Sequence, residues 1–259
     1  PVFRFFRAIR RDLVEHGKLK RYAGYALGEI ILVVAGILIA LQINNANEAR
    51  LEREREARYL QNLKVDLEYT IRELDRFIET REDRIASGLR MIEYFHGRPL
   101  EYLSDFNYHN INVHLVVRYY QNINTYEELV NSGNLGLISN QAIKNGLMDL
   151  GLLYEQLKGD EDHMRFDLEG YVYAPFFDAV DIEPMTRAYV HTASGGQEGT
   201  AVGLSREDME TLLEDVRYKN GFTLVIYMMR AINGRFTAMR AIAEELVAQI
   251  DQELAGRIE

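Results

Sequence analysis

From Tyr22 to Ile43 the chain is apolar at nearly every position, and Glu29 is the one charge in the run. About 22 residues wound as a helix rise ~33 Å, enough to cross the hydrocarbon core of a bilayer. The pattern therefore predicts one transmembrane helix over residues 18–46. Beyond Asn45 the apolar residues thin to one face. Leu60, Leu63, Leu67, Ile71, Leu74, Ile78, Ile85, Leu89 and Ile92 recur at steps of three and four, or multiples of them, with no glycine or proline between Glu48 and Ser87. That spacing predicts a long helix with one buried stripe, continuing out of the span and stopping near Gly97-Arg98-Pro99. Glu54 with Arg58 and Glu52 with Arg55 are spaced to support its solvated face.

Further along, residues 100–124 mix Asn, Tyr and His with scattered β-branched residues, and Val113 with Leu115, Val116 and Val117 fits either a short strand or a helical turn. Thr125-Tyr126-Glu127-Glu128 has capping-box spacing and predicts a short helix ended by Ser132-Gly133-Asn134. Ser139 or Asn140 opens a longer helix through Ile143, Leu147, Leu150, Leu153, Tyr154 and Leu157, interrupted or kinked around Gly159-Asp160-Glu161-Asp162. An aromatic segment follows (Phe166, Tyr171, Tyr173, Phe176, Phe177). The glycine-rich stretch 192–200 is the segment expected to be most mobile. Ser205 and Asp208 repeat the capping pattern. A last helix is expected to run to Leu254 with Leu212, Val216, Phe222, Val225, Met229, Ile232, Phe236, Met239, Ile242, Leu246 and Ile250 inward. The fold class is all-α: an N-terminal amphipathic helix (1–17), a transmembrane helix (18–46) and an extracytoplasmic helical domain (47–259).

Charge orients this arrangement. Residues 1–23 hold seven basic against two acidic side chains, a net of +5, so the overall −10 leaves −15 for the remainder. Basic flanks are retained on the cytoplasmic side of a span, which predicts the N-terminus inside and the C-terminal domain outside. Phe6, Ile9 and Leu13 share a helical spacing opposite Arg4, Arg7 and Arg11, as in a helix lying in a headgroup layer with its arginines toward anionic lipid. A secretory signal is the competing reading. Asn44 and Asn45 ahead of any cut near Ala46 make a poor cleavage site, so an uncleaved anchor is expected. The strongly acidic remainder excludes nucleic acid as a partner of the large domain.

Within the span, Gly24 with Gly28 and Gly36 with Ala40 form two small-xxx-small pairs, which let helix backbones approach and point to a homo-oligomer. Glu29, Gly36 and Ala40 fall on one side of the helix. A carboxylate in the apolar zone is costly, by about 2.5–3.5 kcal/mol at the centre on insertion scales. Glu29 has two readings. It faces a polar lumen or cation, or it is a protonated or snorkelling carboxyl bonded to a neighbouring helix or to Arg21.

Chemistry is otherwise sparse. Cysteine is absent, so disulfides and thiolate metal sites are excluded. His109 and His114 are five apart, and Asp160 with His163 supplies a single carboxylate-x-x-histidine step, too little for a di-iron bundle. No nucleophile elbow, phosphate loop, dinucleotide fingerprint or zinc-protease motif is present, and no enzyme activity, metal or cofactor is expected.

The string Gly28-Glu29-Ile30-Ile31-Leu32-Val33-Val34-Ala35-Gly36-Ile37-Leu38-Ile39-Ala40-Leu41-Gln42-Ile43-Asn44-Asn45 resembles a bacterial family of uncharacterised single-pass membrane proteins, a domain of unknown function. Thr125-Tyr126-Glu127-Glu128-Leu129 with Ser132-Gly133-Asn134-Leu135-Gly136-Leu137-Ile138 and Asn140 is similar to it as well. The chain departs at Ala46, where tryptophan is expected. The resemblance implies a topology, without an activity. Two functions remain open: a membrane-anchored oligomer whose outer domain binds an unidentified envelope protein or ligand, and an oligomeric channel or transport component with its pore lined by the spans and Glu29.

Overall fold

The computed structural model describes residues 19–256, and every regular element among them is helical. The expected surface helix over 1–17, with Arg4, Arg7 and Arg11, lies outside the described residues. The chain divides into two units between Ala57 and Arg58. That division falls beyond the end of the apolar run, within the charged stretch that follows it. Glu54 takes Arg50 at 2.6 Å instead of Arg58, and Asn44 donates to Glu48 at 2.9 Å.

In the first unit the described structure is the beginning of helix α1, Leu19–Phe95. Its large apolar side chains between Tyr25 and Ile43 are all exposed, Leu32 at 75% and Ile43 at 66%. This is the one helix among the described residues that is long and apolar enough to cross a membrane, and none of that stretch is buried.

The second unit starts from the rest of α1. Leu60, Leu63, Leu67, Thr70, Leu74, Phe77, Arg81, Arg84, Gly88 and Met91 are buried at alternating steps of three and four, with Ser87 and Tyr94 buried as well. A 3.5-residue period keeps one seam facing its partners, as in coiled-coil packing. The stripe read from the sequence is displaced at its far end: Ile71, Ile78, Ile85 and Ile92 flank the seam half-buried, and Leu89 is exposed.

α1 ends where expected, at Phe95, and Gly97 turns the chain at φ 93°, in the left-handed region that favours glycine. Residues 103–114 then form α2, Leu103–His114, followed by an extended segment with no strand. Tyr94 donates to Asp105, while Asn112 bonds both Ser87 and Asp83, so α2 runs antiparallel to α1.

The short helix α3, Asn124–Asn131, lacks the capping box expected at Thr125. Asp66 on α1 outcompetes it, accepting from the Thr125 backbone N–H at 3.0 Å and its hydroxyl at 2.6 Å. A 3₁₀ turn, Asn134–Leu137, leads to α4, Gln141–Leu168, capped by Asn140. α4 is not interrupted at Gly159. Asp160 pairs with Arg235 and Glu161 with Arg81, which fix that turn in helical form. The break comes later, as a π-helical segment over Glu169–Tyr173, before α5, Ala174–Ala179.

α6, Ile182–Ala193, is capped by Asp181. The glycine-rich stretch after it is bonded back onto α6, Gly196 N–H to the His191 carbonyl at 2.8 Å and Thr200 N–H to that of Arg187 at 3.3 Å. α7, Arg206–Glu214, carries the expected capping box of Ser205 and Asp208. The expected single last helix is two: Asp215 breaks it and caps α8, Val216–Ala255, which leaves Val216 exposed at 68%.

α8 is antiparallel to α1, with Lys64 on Asp251, Arg240 on Asp75 and Gly88 against Ile226. It is antiparallel to α4 as well, through Asn140 on Glu253 and Asp160 on Arg235. The core is continuous along these three helices, from Leu60 and Ile250 at one end to Phe222 and Phe176 at the other.

Candidate functional site

Gly24, Gly28, Glu29, Gly36 and Ala40 are all exposed on α1. A Cβ added at Gly24, Gly28 or Gly36 would meet nothing within 4 Å among the described residues. Helical geometry brings Glu29, Gly36 and Ala40 to one face, seven and eleven residues apart. Among the described residues, the three glycines of the apolar stretch thus have open space beside them.

The second unit holds a layer of buried charge that pattern reading passes over. Arg81 projects from the seam of α1 and donates to the Glu161 carboxylate of α4 at 2.5 Å, with the two side chains 2% and 5% exposed. The guanidinium also lies over the Phe236 ring at 5.0 Å and donates to the Met164 sulfur at 3.8 Å. Burial opposes both charges: it pulls Arg81 down to about 10 and pushes Glu161 above the ordinary carboxylate value, against their mutual attraction. The Tyr119 N–H, 3.4 Å from both Glu161 oxygens, and Arg118 at 3.9 Å complete the surroundings. A pair of this kind fixes the register of α1 against α4 more than it adds stability.

Beside it opens a cleft of about 350 Å³, lined among others by Arg118, Tyr120, Glu161, Asp162, Arg165 and Tyr173. Its charges neutralise one another. Arg118 pairs with Asp162 at 3.0 Å, and Arg165 sits between Asp162 at 3.8 Å and Glu169 at 3.9 Å.

The π segment forms the upper wall. An extra residue per turn displaces backbone carbonyls from the α-helical ladder. Arg217 donates to the Gly170 carbonyl at 2.7 Å, and the Tyr171 carbonyl lies so close to α8 that a Cβ at Gly221 would come within 2.3 Å of it. Tyr173, the last residue of the segment, donates to the His114 carbonyl at 2.5 Å and stacks on the His114 ring at 5.3 Å. Burial lowers the His114 imidazole to about 4, keeping it neutral, while its Nδ1 donates to the Asn110 carbonyl at 2.8 Å. Tyr218 donates to the Asn110 side chain at 2.6 Å, and burial raises its phenol well above the ordinary value.

The histidines and acidic residues form no metal-binding group of three or more among the described residues. His109 contacts Ser87 and Asp105, and His163 faces Asp167 at 3.5 Å. The buried-charge layer had one readable signal. Arg81 and Arg84 keep the 4-3 register of Leu60, Leu63, Leu67, Leu74 and Phe77, and basic residues at core positions of a seam require a buried partner or a ligand.

The model of a family of unknown function, DUF6090, matches residues 29–158. This is half of the chain, and it runs from Glu29 in the apolar stretch through α2 and α3 into α4. The chain belongs to DUF6090. The match includes Arg81, Arg84 and Asn110, and it ends before Glu161, the π segment and α5–α8. No curated protein and no solved structure matches the chain.

Proposed function

We propose that this DUF6090 chain is a single-pass membrane protein of the bacterial inner membrane, with its N-terminus in the cytoplasm and its helical body outside. The observation that carries this reading is the apolar stretch of α1, in which the large apolar side chains from Tyr25 to Ile43 are exposed. Such a surface on a helix without covering elements is stable in lipid and insoluble in water. The basic residues of 1–23 and the acidic balance of the rest support the orientation. The span is assigned to residues 18–46 and the outer domain to 47–259.

On this reading the small residues Gly24, Gly28, Gly36 and Ala40 form the face through which copies associate. The outer body binds an envelope protein or a ligand, does no catalysis, holds no cofactor and has no role with nucleic acid. One observation favours a second reading, a channel: Glu29 lies on the same face as Gly36 and Ala40. Replacing Glu29 with Gln while assembly persists separates the two, since unchanged ion flux in liposomes would leave the pore without its principal group.

The chain has no cysteine, so one introduced at Gly256 reports its own surroundings. An impermeant maleimide is expected to label it in spheroplasts without permeabilisation. Labelling only after the membrane is opened would overturn the orientation.

A further inference from the structure

A cavity of about 330 Å³ opens where α1, α4, and α3 with the extended segment ahead of it, come together. Its walls are mostly apolar: Leu63 and Leu67 of α1, Leu147 and Leu150 of α4, and the side chains of Tyr126 and Tyr154. Among the described residues no lysine, arginine or histidine lines it, whereas two carboxylates do, Asp66 and Glu155. Glu155 is already paired, with Lys158 at 2.7 Å. Asp66 has only neutral partners. The Thr125 backbone N–H and hydroxyl share its Oδ2, at 3.0 and 2.6 Å, and the Asn122 amide donates to Oδ1 at 3.2 Å. Lys64, the nearest cation in sequence, is held by Asp251 at 2.6 Å. Asp66 is therefore a half-buried carboxylate without a cation among the described residues. A carboxylate oxygen has two acceptor positions, so Oδ1 keeps one open.

The α4 wall points the same way. Leu147, Leu150, Gly151 and Tyr154 share a face at helical spacing, and a Cβ added at Gly151 would meet nothing within 4 Å. No neighbouring backbone requires glycine there, in contrast to Gly221 against the Tyr171 carbonyl. Glycine inside a helix weakens it relative to alanine, and at this position what it leaves is space in the cavity wall. The whole lining, from Leu63 to Glu155, falls within the family match over 29–158, whereas the cleft at Arg118 draws on Glu161, Arg165 and Tyr173 beyond it.

We propose that this cavity binds a small primary amine carrying one aromatic ring, with the ammonium on Asp66 and the ring against the apolar walls. Apolar walls with a few placed polar groups are the usual form of a small-ligand site, and this volume is at the lower end of that range, suited to one ring and a short linker. The ammonium donates to Oδ1 and supplies the charge that the carboxylate lacks. An anion of the same shape is repelled by Asp66, with no cation in the lining to receive it. This names the ligand class of the outer domain and rests on the reading of that domain as a binding module.

The test is calorimetric titration of the full chain in lipid nanodiscs at pH 7 with phenethylamine, with empty nanodiscs as the blank. Phenethyl alcohol and hydrocinnamate, which share the ring and differ in charge, are titrated separately. The amine is expected to bind saturably at one site per chain and at least about tenfold tighter than the alcohol, which lacks the charge-assisted contact, and hydrocinnamate not to bind. Asp66→Asn is expected to bring the amine down to the level of the alcohol. Gly151→Leu is expected to abolish saturable binding by filling the cavity from α4. It leaves Asp66 and its hydrogen bonds in place, so it decides the matter even if Asp66→Asn fails to fold. Absence of saturable amine binding, equal binding of the alcohol or of hydrocinnamate, or amine binding untouched in Gly151→Leu would overturn the proposal. A silent titration with the Gly256→Cys label accessible overturns this site alone, whereas an inaccessible label overturns the location and leaves the titration standing.

Discussion

The apolar stretch of α1 and its continuation in the body invert each other. Between Tyr25 and Ile43 the helix exposes Leu, Ile and Val, whereas between Leu60 and Met91 it buries a seam that includes Arg81 and Arg84. On the proposed reading the same secondary structure serves two solvents. A helix surrounded by lipid satisfies its backbone internally and asks only for apolar side chains. A helix in a water-soluble bundle needs just one covered stripe, and there charge is tolerated where a partner meets it. Uniform hydrophobicity marks the first kind and period the second.

The contrast breaks most severely at Arg81. Arg81→Met strands the Glu161 carboxylate in the core and is expected to cost about 3–5 kcal/mol. Adding Glu161→Met should recover most of that loss in denaturant titrations of the full chain. Failure of the second substitution to rescue would mean that the pair contributes net stability beyond register.

His114 gives the next effect. The unfolded chain takes a proton near pH 6.5 that the folded chain refuses until about pH 4. Stability from this group is therefore complete above 6.5 and is lost as the pH falls from 6.5 to 4, on the order of 3 kcal/mol in all. Glu161, raised by burial, acts in the opposite sense, favouring the fold as it is protonated. His114→Phe is expected to flatten the acid limb of a melting-temperature profile, and an unchanged slope would place the titration elsewhere.

At Gly221 a methyl group would meet the Tyr171 carbonyl, so Gly221→Ala is expected to cost about 1–3 kcal/mol by parting α8 from the π segment. Amide exchange of residues 169–173 would report it. Smaller still, Thr125→Val removes one hydroxyl bond to Asp66 and is expected to lower stability by about 1 kcal/mol, with fraying confined to α3.

Much of this fold was legible in the residues, for reasons that differ between regions. The apolar run from Tyr22 to Ile43 needs no partner to be recognised. The stop at Gly97, the Asn140 cap and the Ser205–Asp208 box are local, formed within a few residues of each other, and all are present. Two local signals were overridden by distant groups: Thr125 turned to Asp66, and the turn at Gly159 was held helical by Arg235 and Arg81; the division of the last helix at Asp215 is itself a local cap. The candidate site was the least legible part. Arg81 meets Glu161 across 80 residues. Their grouping is a product of packing, and only the arginines' place in the 4-3 register hints at it.

The central claim is that α1 is held in a bilayer. Alkaline carbonate washing of membranes from cells producing the full chain tests it most directly. The account expects the intact polypeptide to stay in the membrane pellet and to be released by detergent. Its recovery in the carbonate supernatant would contradict the account.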